Sequence, residues 1–306
     1  MMRVLITGPS GFIGTHCLHR LLAEDCEIHA VNRAGAGEHS ERVTWHGANL
    51  RDPAQASALV AKVRPTHLLH CAWVATPRVY AHSPENADWL QSGIALASAF
   101  GADGGTRFVG VGSSAEYDPG DTPCVEDQTP IRPATIYGKC KAACWLATQA
   151  AAQQHGFSAA WGRLFLPYGP GDQPQRLVPL VLAALRAGKP VPTTQGTQQR
   201  DFVYAPDAAD LLVRLLLSAE SGAFNGGTGR ATTIRSVIEY LASRCGKPEL
   251  PQFGAISPAP GEPAVLVAEM SKVRDRLSWS APTDVRQGLD EILKVAGLEL
   301  PPAASQ

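Results

Sequence analysis

The first half of the chain alternates short apolar runs with stretches of helical periodicity. Arg3-Val4-Leu5-Ile6-Thr7 is apolar without alternation, the pattern of a strand covered on both faces. A glycine-rich turn follows, then apolar positions at helical spacing over 13–23. Glu27-Ile28-His29-Ala30-Val31 predicts a second strand and residues 42–46 a third. An amphipathic helix over 53–63 leads to a fourth strand at 67–72, and a helix over 88–100 to a fifth at 106–112. That strand ends in Ser113-Ser114. A long Ala-rich helix over about 137–154 precedes a sixth strand at 158–165. Strands alternating with helices predict an α/β fold: a doubly wound parallel sheet with right-handed crossovers.

After residue 166 the pattern loosens. Proline thickens at Pro167, Pro170, Pro174, Pro179, Pro190 and Pro192, and the helical stretches shorten. This predicts a smaller, mixed C-terminal lobe over the carboxyl edge of the sheet. There is no internal repeat, and residues 301–306 are expected to fray.

Composition narrows the function classes. The 306 residues carry 27 Lys plus Arg against 28 Asp plus Glu, a net charge of −1 with no basic run, so nucleic acid is not an expected partner. No apolar stretch reaches the roughly 18 residues of a membrane span. The first residues run directly into a strand pattern, so a signal peptide is not expected. Seven scattered cysteines, an odd number with no CxxC pair, are expected to be reduced thiols in a cytoplasmic protein, with no metal site.

Thr7-Gly8-Pro9-Ser10-Gly11-Phe12-Ile13-Gly14 is a GxxGxxG turn between a strand and a helix. Glycine lets the backbone turn tightly and approach a pyrophosphate, and the helix N-terminus offers free N–H groups. The expected cofactor contacts here are Gly8, Ser10, Gly11, Phe12, Ile13 and Gly14, in a Rossmann-type dinucleotide site. An acidic residue closing the second strand would hold the ribose hydroxyls of NAD and repel a 2′-phosphate. Here Asn32 and Arg33 stand there, so NADP is expected in preference to NAD. Asn49 is placed to accept from the adenine amino group. Leu50, Cys71 and Ala72, together with Tyr137 and Lys141, complete the expected cofactor contacts.

Tyr137 and Lys141 are four apart on one helical face, and Ser113 ends the preceding strand. A tyrosine hydroxyl can move a proton to or from a sugar oxygen while hydride moves at the adjoining carbon. A nearby ammonium and a cationic nicotinamide favour the phenolate and bring its pKa toward working pH. Ser113 would fix the substrate oxygen, with Ser114 as the rival serine.

With these motifs the sequence resembles the extended short-chain dehydrogenase/reductases, in particular the nucleotide-sugar epimerases, dehydratases and reductases. Tyr168-Gly169-Pro170, Arg200-Asp201-Phe202-Val203 with Asp207, Asn225-Gly226-Gly227-Thr228-Gly229 and Leu277-Ser278-Trp279 carry the resemblance over nearly the whole chain. It implies a dinucleotide-binding domain at 1–165 plus about 200–224, and a substrate lobe at about 166–199 plus 225–306. It implies that Arg200 binds the diphosphate of a nucleotide sugar, with Arg176 a second candidate. It also implies a homodimer formed through the helices at about 88–100 and 137–154.

Four positions depart from the family. Its 4,6-dehydratases carry an Asp-Glu pair where this chain has Ser114 and Ala115, so 4,6-dehydration is not expected; Glu116, one place later, should face away on strand alternation. Leu166 stands in place of an Asn that contacts the diphosphate. Trp73 replaces a small residue beside the nicotinamide, either filling the core or offering a sugar platform. The function expected is NADP-dependent reduction of a nucleotide-linked 4-keto-6-deoxy sugar. The alternatives are a C4 epimerase with tightly bound NAD and a non-catalytic dinucleotide-binding regulator.

Overall fold

The computed structural model describes residues 1–39, 41–259 and 261–297. The segment 301–306, expected to fray, lies outside the described residues. The first half runs β1 (Arg3–Thr7), α1 (Phe12–Leu21), β2 (Glu27–Asn32), β3 (Val43–Gly47), α2 (Pro53–Val63), β4 (His67–His70), α3 (Glu85–Ala102), β5 (Arg107–Ser113), α4 (Ile136–His155) and β6 (Ser158–Leu164). The helix ends follow local chemistry. Asp52 caps α2 by accepting from the Ala54 and Gln55 amides, with proline in the first turn. Thr135 caps α4, which ends at Gly156 in the left-handed conformation. The fourth strand stops at His70, short of the predicted 72. Cys71 and Ala72 then hand their amides to the carbonyl and hydroxyl of Thr7, each at 3.2 Å.

The second half contains β7 (Leu166–Tyr168), α5 (Leu177–Arg186), β8 (Val191–Thr193), β9 (Gln199–Arg200), β10 (Phe202–Tyr204), α6 (Ala205–Leu217), β11 (Gly222–Gly226), β12 (Thr232–Thr233), α7 (Ile234–Arg244), β13 (Pro251–Phe253), β14 (Val265–Leu266), α8 (Ser271–Leu277) and α9 (Val285–Val295). The main sheet has seven strands in the order β3-β2-β1-β4-β5-β6-β11, every pair parallel. Helices α1 and α6 pack on one face, and α2, α3 and α4 on the other. Strand order reverses between β1 and β4, so the crevice beyond their carboxyl ends is where such a sheet binds ligands. The smaller sheets of the second half are mixed: β7–β10 and β8–β13 are parallel, and β9 pairs antiparallel with β12 and parallel with β14. The β7–β10 and β8–β13 pairs share a separate apolar cluster with α5, α7 and α9 around Tyr168, Leu185 and Leu241.

Candidate active site

The glycines of the first turn each answer a steric demand. Gly8 has φ +68°, and a Cβ there would lie 2.7 Å from the Ala72 Cα. A Cβ on Gly14 would lie 1.9 Å from the Gly8 carbonyl oxygen. Gly11 donates to that carbonyl at 3.0 Å, and no side chain caps α1, so its first amides face the crevice. Such a cradle fits a pyrophosphate.

Two adjoining cavities open there. One, of about 450 Å³, is lined by Gly8, Ser10, Asn32, Arg33, Asn49, Leu50, Cys71 and Ala72. The other, of about 310 Å³, is lined by Ile13, Gly14, Ser113, Ser114, Tyr137, Lys141, Arg176 and Arg200. Gly11, Phe12 and Trp73 line both. The expected catalytic, cofactor and substrate contacts therefore gather around these two cavities, whereas Glu116, Asp207 and Asn225 line neither.

At the end of β2, Asn32 is part of the turn. Its amide donates to the Ala36 carbonyl at 2.8 Å and to Ser10 Oγ at 3.3 Å, and its oxygen accepts from the Gly35 amide at 2.7 Å. Arg33 is exposed and makes no hydrogen bond or ion pair with a described residue. Arg51, which sequence reasoning passed over, lines the same cavity and pairs with Glu85 at 3.1 Å. Asn49 accepts from the Arg51 amide at 3.4 Å, a local turn contact.

In the second cavity α4 presents Tyr137 and Lys141 one turn apart, and β5 ends beside them at Ser113. Ser113 Oγ accepts from the Ala115 amide at 3.1 Å, leaving the hydroxyl proton to donate into the cavity. Lys141 is buried. Its Nζ donates to the Val111 carbonyl at 2.6 Å and lies 4.0 Å from the centroid of the Trp73 ring. Burial pulls Lys141 down to about 8, against Cys144, Glu116 and Cys71, which favour the ammonium. Burial pushes the Tyr137 phenol well above its ordinary value; the Ser113 hydroxyl and Arg176 act the other way. In the protein without dinucleotide, desolvation is the largest influence on the Tyr137 phenol and makes it hold its proton more firmly.

Trp73 is held by its indole N–H, which donates to Asn86 Oδ1 at 2.8 Å. Asn86 is fully buried and donates in turn to the Tyr80 and Ser83 carbonyls. The Tyr80 ring stands edge-on to Tyr137, centroids 4.9 Å apart. One asparagine thus organises an aromatic against each of Lys141 and Tyr137. Sequence reasoning missed Asn86 and Tyr80, because neither lies in a motif.

The rest of the second cavity's lining is largely apolar, with Val74, Leu164, Phe165, Leu166, Pro167 and Leu266. Arg176 caps α5 and sits 3.4 Å from Asp172. Arg200 reaches the cavity with its guanidinium already engaged. It donates to the Gln199 and Pro263 carbonyls at 2.9 Å each and pairs with Glu262 at 2.7 Å. Ser114 lines the cavity, whereas Glu116 turns inward below it, placed there by a 3-10 turn over Ser114–Glu116 rather than by strand alternation. All seven cysteines are free thiols. Among the described residues no helix is long and apolar enough to cross a membrane.

A model of the NAD dependent epimerase/dehydratase family matches residues 4–227. A UDP-glucose 4-epimerase of Rhizobium leguminosarum bv. trifolii is 30% identical over 328 residues, spanning 96% of this chain and 95% of that protein. The solved UDP-glucose 4-epimerase of Thermus thermophilus, in complex with NAD, matches with TM-score 0.85 at 26% identity over 96% of this chain and 98% of that one. The UDP-glucose 4-epimerase of Thermotoga maritima, solved with UDP-glucose, shares the fold with TM-score 0.87 at 20% identity, covering 97% of this chain and 100% of that one. The chain belongs to the NAD dependent epimerase/dehydratase family, enzymes of the extended short-chain dehydrogenase/reductase type that use a nicotinamide dinucleotide.

Proposed function

We propose that this family member reduces the 4-keto group of a nucleotide-linked 6-deoxy sugar, using NADPH. The observation that carries the reading is the convergence of Ser113, Tyr137 and Lys141 with the glycine cradle on adjoining cavities. The dinucleotide, when bound, supplies the hydride. Ser113 donates to the keto oxygen and orients it. Tyr137, protonated at neutral pH, gives that oxygen its proton. Lys141 stands behind Tyr137 and stabilises the phenolate left behind. Carbon-bound apolar groups line the sugar side, which suits a deoxygenated carbon better than a hydroxymethyl group. Ser114 and Ala115 offer no carboxyl group for dehydration. Asn32 and Arg33 support NADP, since neither repels a 2′-phosphate and Arg33 is free to pair with it.

The lobe formed by 166–199 and 225 onward would hold the nucleoside diphosphate, with Arg176 and Arg200 as its cations. The face of α3 and α4 that carries exposed Ile94 and Leu146 would pair two chains. The test is to incubate the purified protein with NADPH and a nucleotide-linked 4-keto-6-deoxy sugar. The expected result is NADPH oxidation matched by a 4-hydroxy product.

A second reading, C4 epimerisation with retained NAD, is favoured by the similarity to UDP-glucose 4-epimerases. It predicts that the protein purifies with NAD and interconverts a UDP-hexose pair with no added cofactor.

A further inference from the structure

Below the Ser113 turn lies a carboxylate with no part in the chemistry just described. Glu116 is 0% exposed and Arg163 only 3%. Glu116 Oε2 accepts from Arg163 Nε at 2.8 Å. Its Oε1 accepts from the Trp161 indole N–H at 2.9 Å and from the Ser113 amide at 2.8 Å. With the Ser113 hydroxyl accepting from Ala115, these bonds close a reciprocal capping box on the turn that carries the two serines. Gly112 leaves the room: a Cβ there would lie 2.6 Å from Glu116 Oε1 and 2.2 Å from Trp161 Nε1. The end of β5 is shaped around this carboxylate.

Stability alone gives a weak reason for it. A buried ion pair loses so much hydration that apolar side chains of similar volume often serve as well or better. We propose that Glu116 is a positioning residue, fixing the Ser113 hydroxyl through the Ser113 amide and supplying the fixed negative charge beneath the Tyr137–Lys141 pair. This rests on the role given above to Ser113, Tyr137 and Lys141.

The charge acts among few neighbours. From α4, Lys141, Tyr137 and Cys144 face it, and from β6 Arg163 pairs with it. Around Lys141 stand also Cys71 and His70, the latter neutral because burial pulls it to about 3. Tyr80 and Arg176 act on Tyr137 from the cavity side. Glu116 favours the ammonium of Lys141 and the protonated phenol of Tyr137, so neutralising it lowers both pKa values.

The test is Glu116→Gln in the full chain, which keeps the size and removes the charge. Turnover is expected to fall about tenfold or more, with the KM for substrate and the Kd for NADPH within about twofold. The basic limb of the turnover–pH profile should move to lower pH by about half a unit or more. Exchange of the Ser113 amide proton, measured without dinucleotide, should quicken about tenfold or more. If Glu116→Gln does not fold, the double variant Glu116→Gln with Arg163→Met leaves no unpaired guanidinium and should show a smaller displacement in the same direction. A turnover loss explained by the unfolded fraction, with an unmoved pH limb, overturns the proposal. An inactive wild type overturns the assigned chemistry instead, and unchanged Ser113 exchange would then still exclude Glu116 as its anchor.

Discussion

Lys141 Nζ lies 4.0 Å from the centre of the Trp73 ring, and the Trp73 indole N–H is pinned to buried Asn86. The tryptophan thus gives a desolvated ammonium the face of an aromatic ring, an attraction of roughly 2 kcal/mol in such surroundings. With Lys141 held at about 8, the wild type should lose turnover as pH rises through 8, because the ammonium that supports Tyr137 is lost. Trp73→Leu removes the ring face and should move that limb to lower pH. Trp73→Phe keeps a face and should lie between. Turnover–pH profiles of the three proteins check this, and identical limbs would remove Trp73 from the support of Lys141.

Tyr137→Phe keeps the ring against Tyr80 and removes only the proton donor. Turnover should fall on the order of 10²–10⁴-fold, the usual contribution of a general acid. NADPH affinity should be nearly unchanged by fluorescence titration.

Arg33→Ala removes an exposed cation with no partner among the described residues, so folding should not suffer. NADPH binding should weaken by roughly 1.5–3 kcal/mol, the scale of a charge-assisted hydrogen bond, with NADH binding nearly untouched. Calorimetric Kd values for both cofactors decide it, and equal losses would make Arg33 a structural residue.

What was legible in the sequence was local. The glycine turn, the strand-end serines and the Tyr137–Lys141 spacing each declare themselves within a few residues, and the sheet positions them as such patterns require. What was not legible depended on distant partners. Glu116 reads on alternation as facing away from the site, yet a 3-10 turn brings it beneath the site, where Arg163 and Trp161, 47 and 45 residues on, bury it. Arg200 is bound to Glu262, 62 residues away, on a segment with no pattern of its own. The short strands of the second half are two or three residues long, too few for alternation to register.

Those partners separate the two cavity arginines. Arg176 makes one longer contact, to Asp172, so Arg176→Met should raise the KM for a nucleotide sugar about tenfold, about 1.4 kcal/mol, with a smaller loss of Tm than at Arg200. Arg200→Met should raise KM similarly and also lower Tm, because two backbone carbonyls and Glu262 lose their donor. Steady-state kinetics beside thermal melts test both. An unchanged KM in both variants would mean that the substrate carries no diphosphate.

The most direct test of the central claim is transfer of label from NADPH carrying deuterium at the nicotinamide C4 to a nucleotide-linked 4-keto-6-deoxy sugar. The account predicts product deuterated at the sugar C4, NADP⁺ formed in equal amount, and both slowed on the order of 10²–10⁴-fold with Tyr137→Phe. Full turnover by the Tyr137→Phe variant, or a wild type that isomerises a nucleotide sugar with no net oxidation of NADPH and no label in the product, would contradict it.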